Sequence, residues 1–239
     1  MRGGATRLKI SAMVNENLRG RRGIGFALLC LAATLVVARH QHRHVNVSGA
    51  VATAGQFDYY LLSLSWSPTY CLSHREDQAQ CGSKGFGFVL HGLWPQFMNG
   101  GYPENCATEA TLSAAARKVG ESLFPSPKLV AHEWQRHGTC SGMNALDYFR
   151  MADRALAAVQ VPALLQAPRA PVSLSAGEIN AAFHAANSRL PDDGMVVACR
   201  GAELSEVRVC LSRRLELISC GRSVRNSCPA VALQVPAAR

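Results

Sequence analysis

Between Phe57 and Trp66 the chain reads FDYYLLSLSW, so dense in aromatic and leucine side chains that it predicts a buried strand. Phe86 to Leu93 (FGFVLHGL) predicts a second strand, its glycines marking a close backbone approach or a bulge. Further on, the period changes. Residues 111–121 and 144–160 are alanine-rich with helical spacing, and Thr111 or Asn144 could cap them. Ser175 to Leu190 places Ile179, Phe183 and Ala186 on one helical face behind a Ser173 or Ser175 cap. Met195–Cys199, Glu203–Leu211 and Leu215–Cys220 then read as short strands parted by Gly, Ser and Arg. Strands and helices mix without regular alternation and nothing repeats, so the pattern predicts one α+β domain over residues 55–239.

The first 54 residues follow another pattern. Arg19, Arg21 and Arg22 precede an uncharged apolar run from Ile24 to Ala38. As a helix the run is ~22 Å long, short of the ~20 residues that span a bilayer comfortably. A basic start, a short apolar stretch and then small residues predict a secretory signal peptide followed by a linker over 1–54, cleaved after Ala38 or after Ala54. His40, His42 and His44 fall between signal and domain and read as solvated linker rather than a metal tract.

Composition changes meaning once this segment is set apart. The chain of 239 residues is 48% hydrophobic and 17% charged, which excludes wholesale disorder. Its formal net charge of +9 suggests a nucleic-acid or membrane-surface binder. Residues 1–54, however, hold eight Lys and Arg against Glu16 alone, and the rest of the chain is left with a net +2. Cys30 leaves with the signal, so eight of the nine cysteines remain, an even number that in an exported chain reads as four disulfides.

The densest cluster of functional side chains is His132-Glu133-Trp134-Gln135-Arg136-His137-Gly138. A zinc-protease helix needs its two histidines one turn apart (H-E-x-x-H), and Arg136 stands where the second would be, so zinc is a poor reading. At about 100° per residue, His132, Arg136, Glu133 and His137 share an arc of about 140°, while Trp134 faces away from it. Gly138 suits the end of such a helix. Two imidazoles, a carboxylate and a guanidinium on one face could move protons and hold an anion together, though a solvated helix end would look the same. His91 lies in an apolar, strand-like run followed by Gly92-Leu93-Trp94-Pro95, where a histidine is either a satisfied core residue or one presented to a site.

The two segments HGLWP (His91–Pro95) and HEWQRHGTC (His132–Cys140), about 40 residues apart, resemble the two active-site segments of the ribonuclease T2 family, a group of exported endoribonucleases. The resemblance extends from Phe57-Asp58-Tyr59-Tyr60-Leu61 and Trp66-Ser67-Pro68-Thr69-Tyr70-Cys71 to Cys228 and is faint over 141–194. It implies a disulfide-braced α+β domain with an antiparallel central sheet and flanking helices. The implied bridges are Cys71–Cys81, Cys106–Cys140, Cys199–Cys228 and Cys210–Cys220.

The resemblance also implies a function: metal-independent cleavage of single-stranded RNA, with no cofactor. The ribose 2′-hydroxyl attacks its own phosphodiester to leave a 2′,3′-cyclic phosphate, later opened to a 3′-phosphate. His137 is then the general base, His91 the general acid, and Glu133 and Arg136 stabilise the phosphoryl group while His132 binds phosphate. Trp94 stacks on the base, and Gln96 and Tyr102 belong to the same base-binding region. Arg136 stands where many relatives carry Lys, and Gln96 where some carry Asp. DNA, lacking the nucleophile, is not cut. The resemblance further implies a monomer, free of the membrane after signal cleavage, in the periplasm or secreted. The alternative is a non-catalytic member of the same fold that binds RNA or protein, and such members usually lose a motif histidine.

Overall fold

A computed structural model of the chain describes residues 53–107, 110–166 and 168–238. The expected signal peptide, the cleavage point after Ala38, the His40–His44 tract and Cys30 lie outside them. Strand β1 (Tyr59–Trp66) is the spine, flanked by β2 (Phe88–Gln96) on one side and β5 (Glu203–Ser212) on the other, both antiparallel to it. Helices α1 (Ser67–Cys71) and α2 (Gln78–Cys81) fill the connection from β1 to β2. Then come α3 (Ala114–Leu123), α4 (Pro127–Arg136), α5 (Ala145–Ala157) and α6 (Ala163–Gln166). Strand β3 (Val172–Leu174), α7 (Ala176–Ala186), β4 (Met195–Arg200) and β6 (Leu233–Val235) complete the order.

Alternation along β1 sorts its two faces. Tyr60, Leu62, Leu64 and Trp66 enter the main core together with Leu90 and Leu93 of β2, Val207, Val209 and Leu211 of β5, and Val130, Trp134, Tyr148 and Phe149 of the helices. The opposite face carries Tyr59 and Leu61 in a small second cluster with Cys210, and then Ser63 and Ser65, opposite Arg208 and Glu206. The long helices begin at side-chain caps: Ser113, Ser126, Asn144 and Ser175 each accept a backbone N–H, and Ser175 with Glu178 forms a capping box. Ser113, rather than Thr111, starts α3.

The central strands β1, β2, β4 and β5 pair antiparallel, as expected, and β6 makes the sheet mixed by meeting β5 in parallel at Glu203 and Gln234. One expectation needs correction. Leu215–Cys220 is not a strand. Leu215 takes a left-handed backbone (φ 68°) in a turn where its N–H donates to Ser212 O, leaving a single antiparallel bridge between Leu211 and Leu217. The disulfides are Cys71–Cys81, Cys106–Cys140, Cys199–Cys228 and Cys210–Cys220, the pairs that the resemblance implies. Among the described residues no helix is long and apolar enough to cross a membrane.

Candidate active site

A strand of period two puts residues three apart on opposite faces, so a regular β2 could not present both His91 and Trp94 to one side. A bulge resolves this. Ser63 pairs with Gly92 and Leu64 with Leu90, so His91 is the extra residue. Leu90 and Leu93 therefore stay in the core, while His91, Gly92, Trp94 and Gln96 all fall on the face of Ser63 and Arg208. Gly92 serves close approach: a Cβ there would lie 2.1 Å from Trp94 Nε1 and 2.2 Å from Glu133 Oε2. Only a residue without a side chain leaves room for the 2.7 Å hydrogen bond that Trp94 Nε1 donates to that carboxylate.

Helix α4 starts at the Ser126 cap with Pro127 in its first turn and ends at Arg136, with His137 as its cap. Val130 and Trp134 anchor it in the core. Glu133, on the neighbouring flank, is only 1% exposed, and His137 6%. The charged patch is thus not a solvated helix end. His132 remains exposed and Arg136 partly so. Beyond His137 the chain tightens into a 3-10 turn, Gly138–Ser141, tied by Cys106–Cys140 to the loop before α3. Gly138 does not stop the helix through a left-handed backbone. A Cβ there would lie 2.4 Å from the Trp134 ring and 2.9 Å from Tyr148, so it is a packing glycine.

All eight residues singled out in the sequence line one cleft of about 430 Å³: His91, Trp94, Gln96, Tyr102, His132, Glu133, Arg136 and His137. Trp94 stands between the two imidazoles, its ring centre 5.0 Å from that of His91 and 5.2 Å from that of His137. Tyr102 lies 6.0 Å from His137 and accepts a 3.4 Å hydrogen bond from Arg136 Nη2. That guanidinium also pairs with Glu104 at 2.6 Å. Gln96 is buried and its amide donates to Pro95 O.

The electrostatics separate the two histidines. Burial pushes His137 down to about 3, helped by the positive charges of Arg136, His132 and His91. Burial also pulls on His91, but the hydrogen bond and charge of Glu206, with Glu133 behind it, outweigh that and raise its pKa. Desolvation lifts Glu133 to about 7, against the opposing effect of His91 and the Trp94 hydrogen bond. His132 is lowered by burial and by Arg136 and His91. Glu133 Oε1 and His137 Nδ1 are buried with no hydrogen-bond partner among the described residues.

Sequence reasoning missed Glu206 and Arg208, which also border this face. A signal was present: in Glu206-Val207-Arg208-Val209 two charges alternate with two core valines, which places both charges on one face of a strand. Among the described residues no group of three or more His, Cys, Asp or Glu is arranged to hold a metal ion.

An α+β sheet protein with two oppositely tuned imidazoles and a buried carboxyl group over one cation-flanked cleft defines a narrow class. The model of the Ribonuclease T2 family matches residues 57–220, and the chain belongs to that family. It is 48% identical over 103 residues to "Ribonuclease" of Aeromonas hydrophila (43% of this chain, 46% of that one) and 33% identical over 142 residues to "Probable ribonuclease" of Haemophilus influenzae (53% and 50%). The chain thus spans about half the length of these two relatives. Its fold is similar to that of an RNase-related protein from Calystegia sepium, at 23% identity and a TM-score of 0.64, covering 77% of this chain and 98% of that one. It is also similar to RNase NT in complex with 5′-AMP, at 23% identity and a TM-score of 0.58, covering 76% and 98%.

Proposed function

We propose that the protein is an RNA-cleaving enzyme: an endoribonuclease acting on single-stranded RNA, with His137 as general base and His91 as general acid. The observation that carries this reading is the opposite tuning of two histidines on either side of Trp94 in one cleft. A neutral His137 takes the proton of the ribose 2′-hydroxyl. The freed oxygen bonds to the adjacent phosphorus as the bond to the 5′-oxygen breaks, and cationic His91 delivers its proton to that leaving oxygen. The product is a 2′,3′-cyclic phosphate, opened in a second step by water to a 3′-phosphate with the proton roles reversed. Phosphate entering the cleft reverses the field felt by His137, because its negative charge offsets Arg136, His132 and His91 and makes the imidazole a better base.

Glu133, with its pKa near 7, holds a proton at acidic pH and can donate from the otherwise unpartnered Oε1 to a phosphoryl oxygen. Arg136 and His132 supply the remaining charge. Trp94 and the half-exposed ring of Tyr102 offer faces for a base, and Gln96 supplies an amide at the floor of the same cleft. DNA lacks the 2′-hydroxyl and is left intact. The test is digestion of single-stranded RNA with and without EDTA, followed by analysis of the product ends. Cyclic phosphate ends formed in EDTA support the mechanism; 5′-phosphate ends, or loss of cleavage in EDTA, overturn it.

The tuning also sets a pH range. The base loses function only when protonated, which here happens far below an ordinary histidine; the acid loses function only when deprotonated, which here happens above it. The kcat/KM profile is therefore expected to stay flat from about pH 6 down to about pH 4, below the titrations of His91 and Glu133 and above that of His137. A fall of tenfold or more across that interval would contradict the assignment.

Arg136 lines the cleft and is also paired with Glu104. Replacing Glu104 by Gln removes a competitor for the guanidinium. Exposed pairs of this kind are worth under about 1 kcal/mol, so mononucleotide inhibition is expected to tighten about two- to fivefold. Weaker inhibition would show that Glu104 orients Arg136 instead of competing with substrate.

Export and a monomeric, membrane-free product belong to the same proposal, with residues 1–54 as the leader and 55–239 as the working domain. Four disulfides support an oxidising compartment, periplasmic or extracellular. The Gly55 N–H donates to Cys140 O at 2.9 Å, a contact that cleavage after Ala54 would leave intact.

A further inference from the structure

Glu206 is a buried carboxylate on a sheet face, a placement that costs free energy unless its oxygens are occupied. They are. Oε2 accepts Nε and Nη2 of Arg208 at 2.7 and 2.6 Å and the Ser63 hydroxyl at 3.2 Å. Oε1 faces the cleft side, where it meets His91 Nδ1 at 2.6 Å and accepts the Ser65 hydroxyl at 3.4 Å. One oxygen is thus committed to the guanidinium and the other to the imidazole. The register explains how: Ser65 pairs with Glu206 and Ser63 with Arg208 across β1 and β5, and the bulge swings His91 onto them.

We infer that Glu206 is the positioning residue of His91: it holds the ring with Nδ1–H toward the sheet, leaving Nε2 to carry the proton that departs with the leaving oxygen, while Arg208 keeps the carboxylate anionic. A carboxylate can only accept, so the nitrogen beside it must be the donor, and a neutral His91 is confined to the Nδ1–H form. The second proton of the cation then resides on Nε2. The inference rests on the general-acid role proposed for His91, for which an imidazole of undefined tautomer would be a poor fit.

The charges around His91 agree with this role. Glu206 and Glu133 favour its cation, while burial and Arg208 of β5 oppose it; the His91 charge in turn holds His132 of α4 and His137 at the end of that helix towards their neutral forms. The largest favourable contribution is that of Glu206. Burial acts against ionisation of Glu206, yet His91 and Arg208 hold it down to about 2, so it stays charged wherever His91 titrates.

The experiment is 15N NMR of the imidazoles alongside kinetics, for the wild type, Glu206→Gln and Glu206→Asp. Wild-type His91 is expected to be the Nδ1–H tautomer when neutral; an Nε2–H tautomer overturns the inference without any variant. In E206Q the His91 titration is expected to fall by about one pH unit or more, with little change at His132. The alkaline limb of kcat should move down with it, and kcat near neutrality should drop about tenfold or more while KM changes less than about twofold. E206D, which keeps the charge on a shorter arm, is expected to recover most of the titration shift and part of kcat. An unmoved His91 titration in E206Q overturns the positioning role; should E206Q not fold, the tautomer of wild-type His91 decides it. A shifted titration with an unmoved kcat profile overturns instead the general-acid reading on which it rests.

Discussion

Replacing His137 by Ala is expected to lower kcat on single-stranded RNA by at least about a thousandfold, the range associated with removal of a well-placed general base. The loss should fall on kcat rather than KM, because Trp94, Arg136 and His132 remain to hold the substrate. It should not come from unfolding. His137 Nδ1 has no partner among the described residues, so its removal strands no buried donor or acceptor, and the helix is anchored by Val130 and Trp134. A second readout separates the chemical role from the structural one. The folded pKa of His137 is about 3, below that of an unfolded histidine, so the unfolded chain binds a proton there first as pH falls. Stability associated with this residue is present above about pH 6.5 and is lost progressively as pH drops toward about 3. His137→Ala should accordingly lose activity yet lose less stability on acidification than the wild type, as followed by thermal melts across that range. Retention of more than a tenth of wild-type kcat would remove His137 from the mechanism.

Removing the Cys106–Cys140 bridge, by changing both residues to Ala, is expected to produce the largest stability loss of any single disulfide deletion that involves the active site. Its cysteines are 34 residues apart, against 10 for Cys71–Cys81. Loop-closure entropy puts the loss at about 3.5–4 kcal/mol for the longer loop and about 1 kcal/mol less for the shorter. For a domain of this size that corresponds to a fall in Tm of roughly 10 °C. The bridge is reinforced locally: Asn105 N–H donates to Arg136 O, and Cys106 N–H to the Thr139 hydroxyl. Activity below the melting range should fall too, because the residues so tethered flank Arg136 and His137. Denaturant titrations of both double variants check the order, and a smaller loss for Cys106/Cys140 than for Cys71/Cys81 would refute the entropic account.

Most of the site was legible because its residues cluster in two short segments, His91–Pro95 and His132–His137, and the family resemblance joined them. The helical arc was also legible, since spacing alone puts Glu133 beside His132 and turns Trp134 away. What spacing could not show was burial: a charged arc is drawn the same way whether it meets water or the face of a sheet. Leu215 escaped for a local reason, its left-handed backbone breaking an apolar run that otherwise reads as strand. Gly138 does sit at the helix end, but for a cause that spacing does not carry, since its contact with Tyr148 comes from another helix. Glu206 and Arg208 were missed because their significance lies in what β5 is paired with across β1, and strand pairing is not written in one strand.

The extra residue at His91 has a consequence for how this protein can diverge. A bulge is a frame shift in the alternation of a strand, and everything from Gly92 to Gln96 is read in the shifted frame. Exchanges that respect size and polarity at Leu90 or Leu93 alter packing and leave the frame as it is. Loss of one residue at 91 or 92 would abolish the bulge yet keep that frame, with Leu93 inward and Trp94 on the cleft face; what it would remove is either the imidazole itself or the glycine that makes room for Trp94 and Glu133. His91 and Gly92 thus share the place of a single residue, and what pins both is the cleft they serve rather than the alternation of the strand around them.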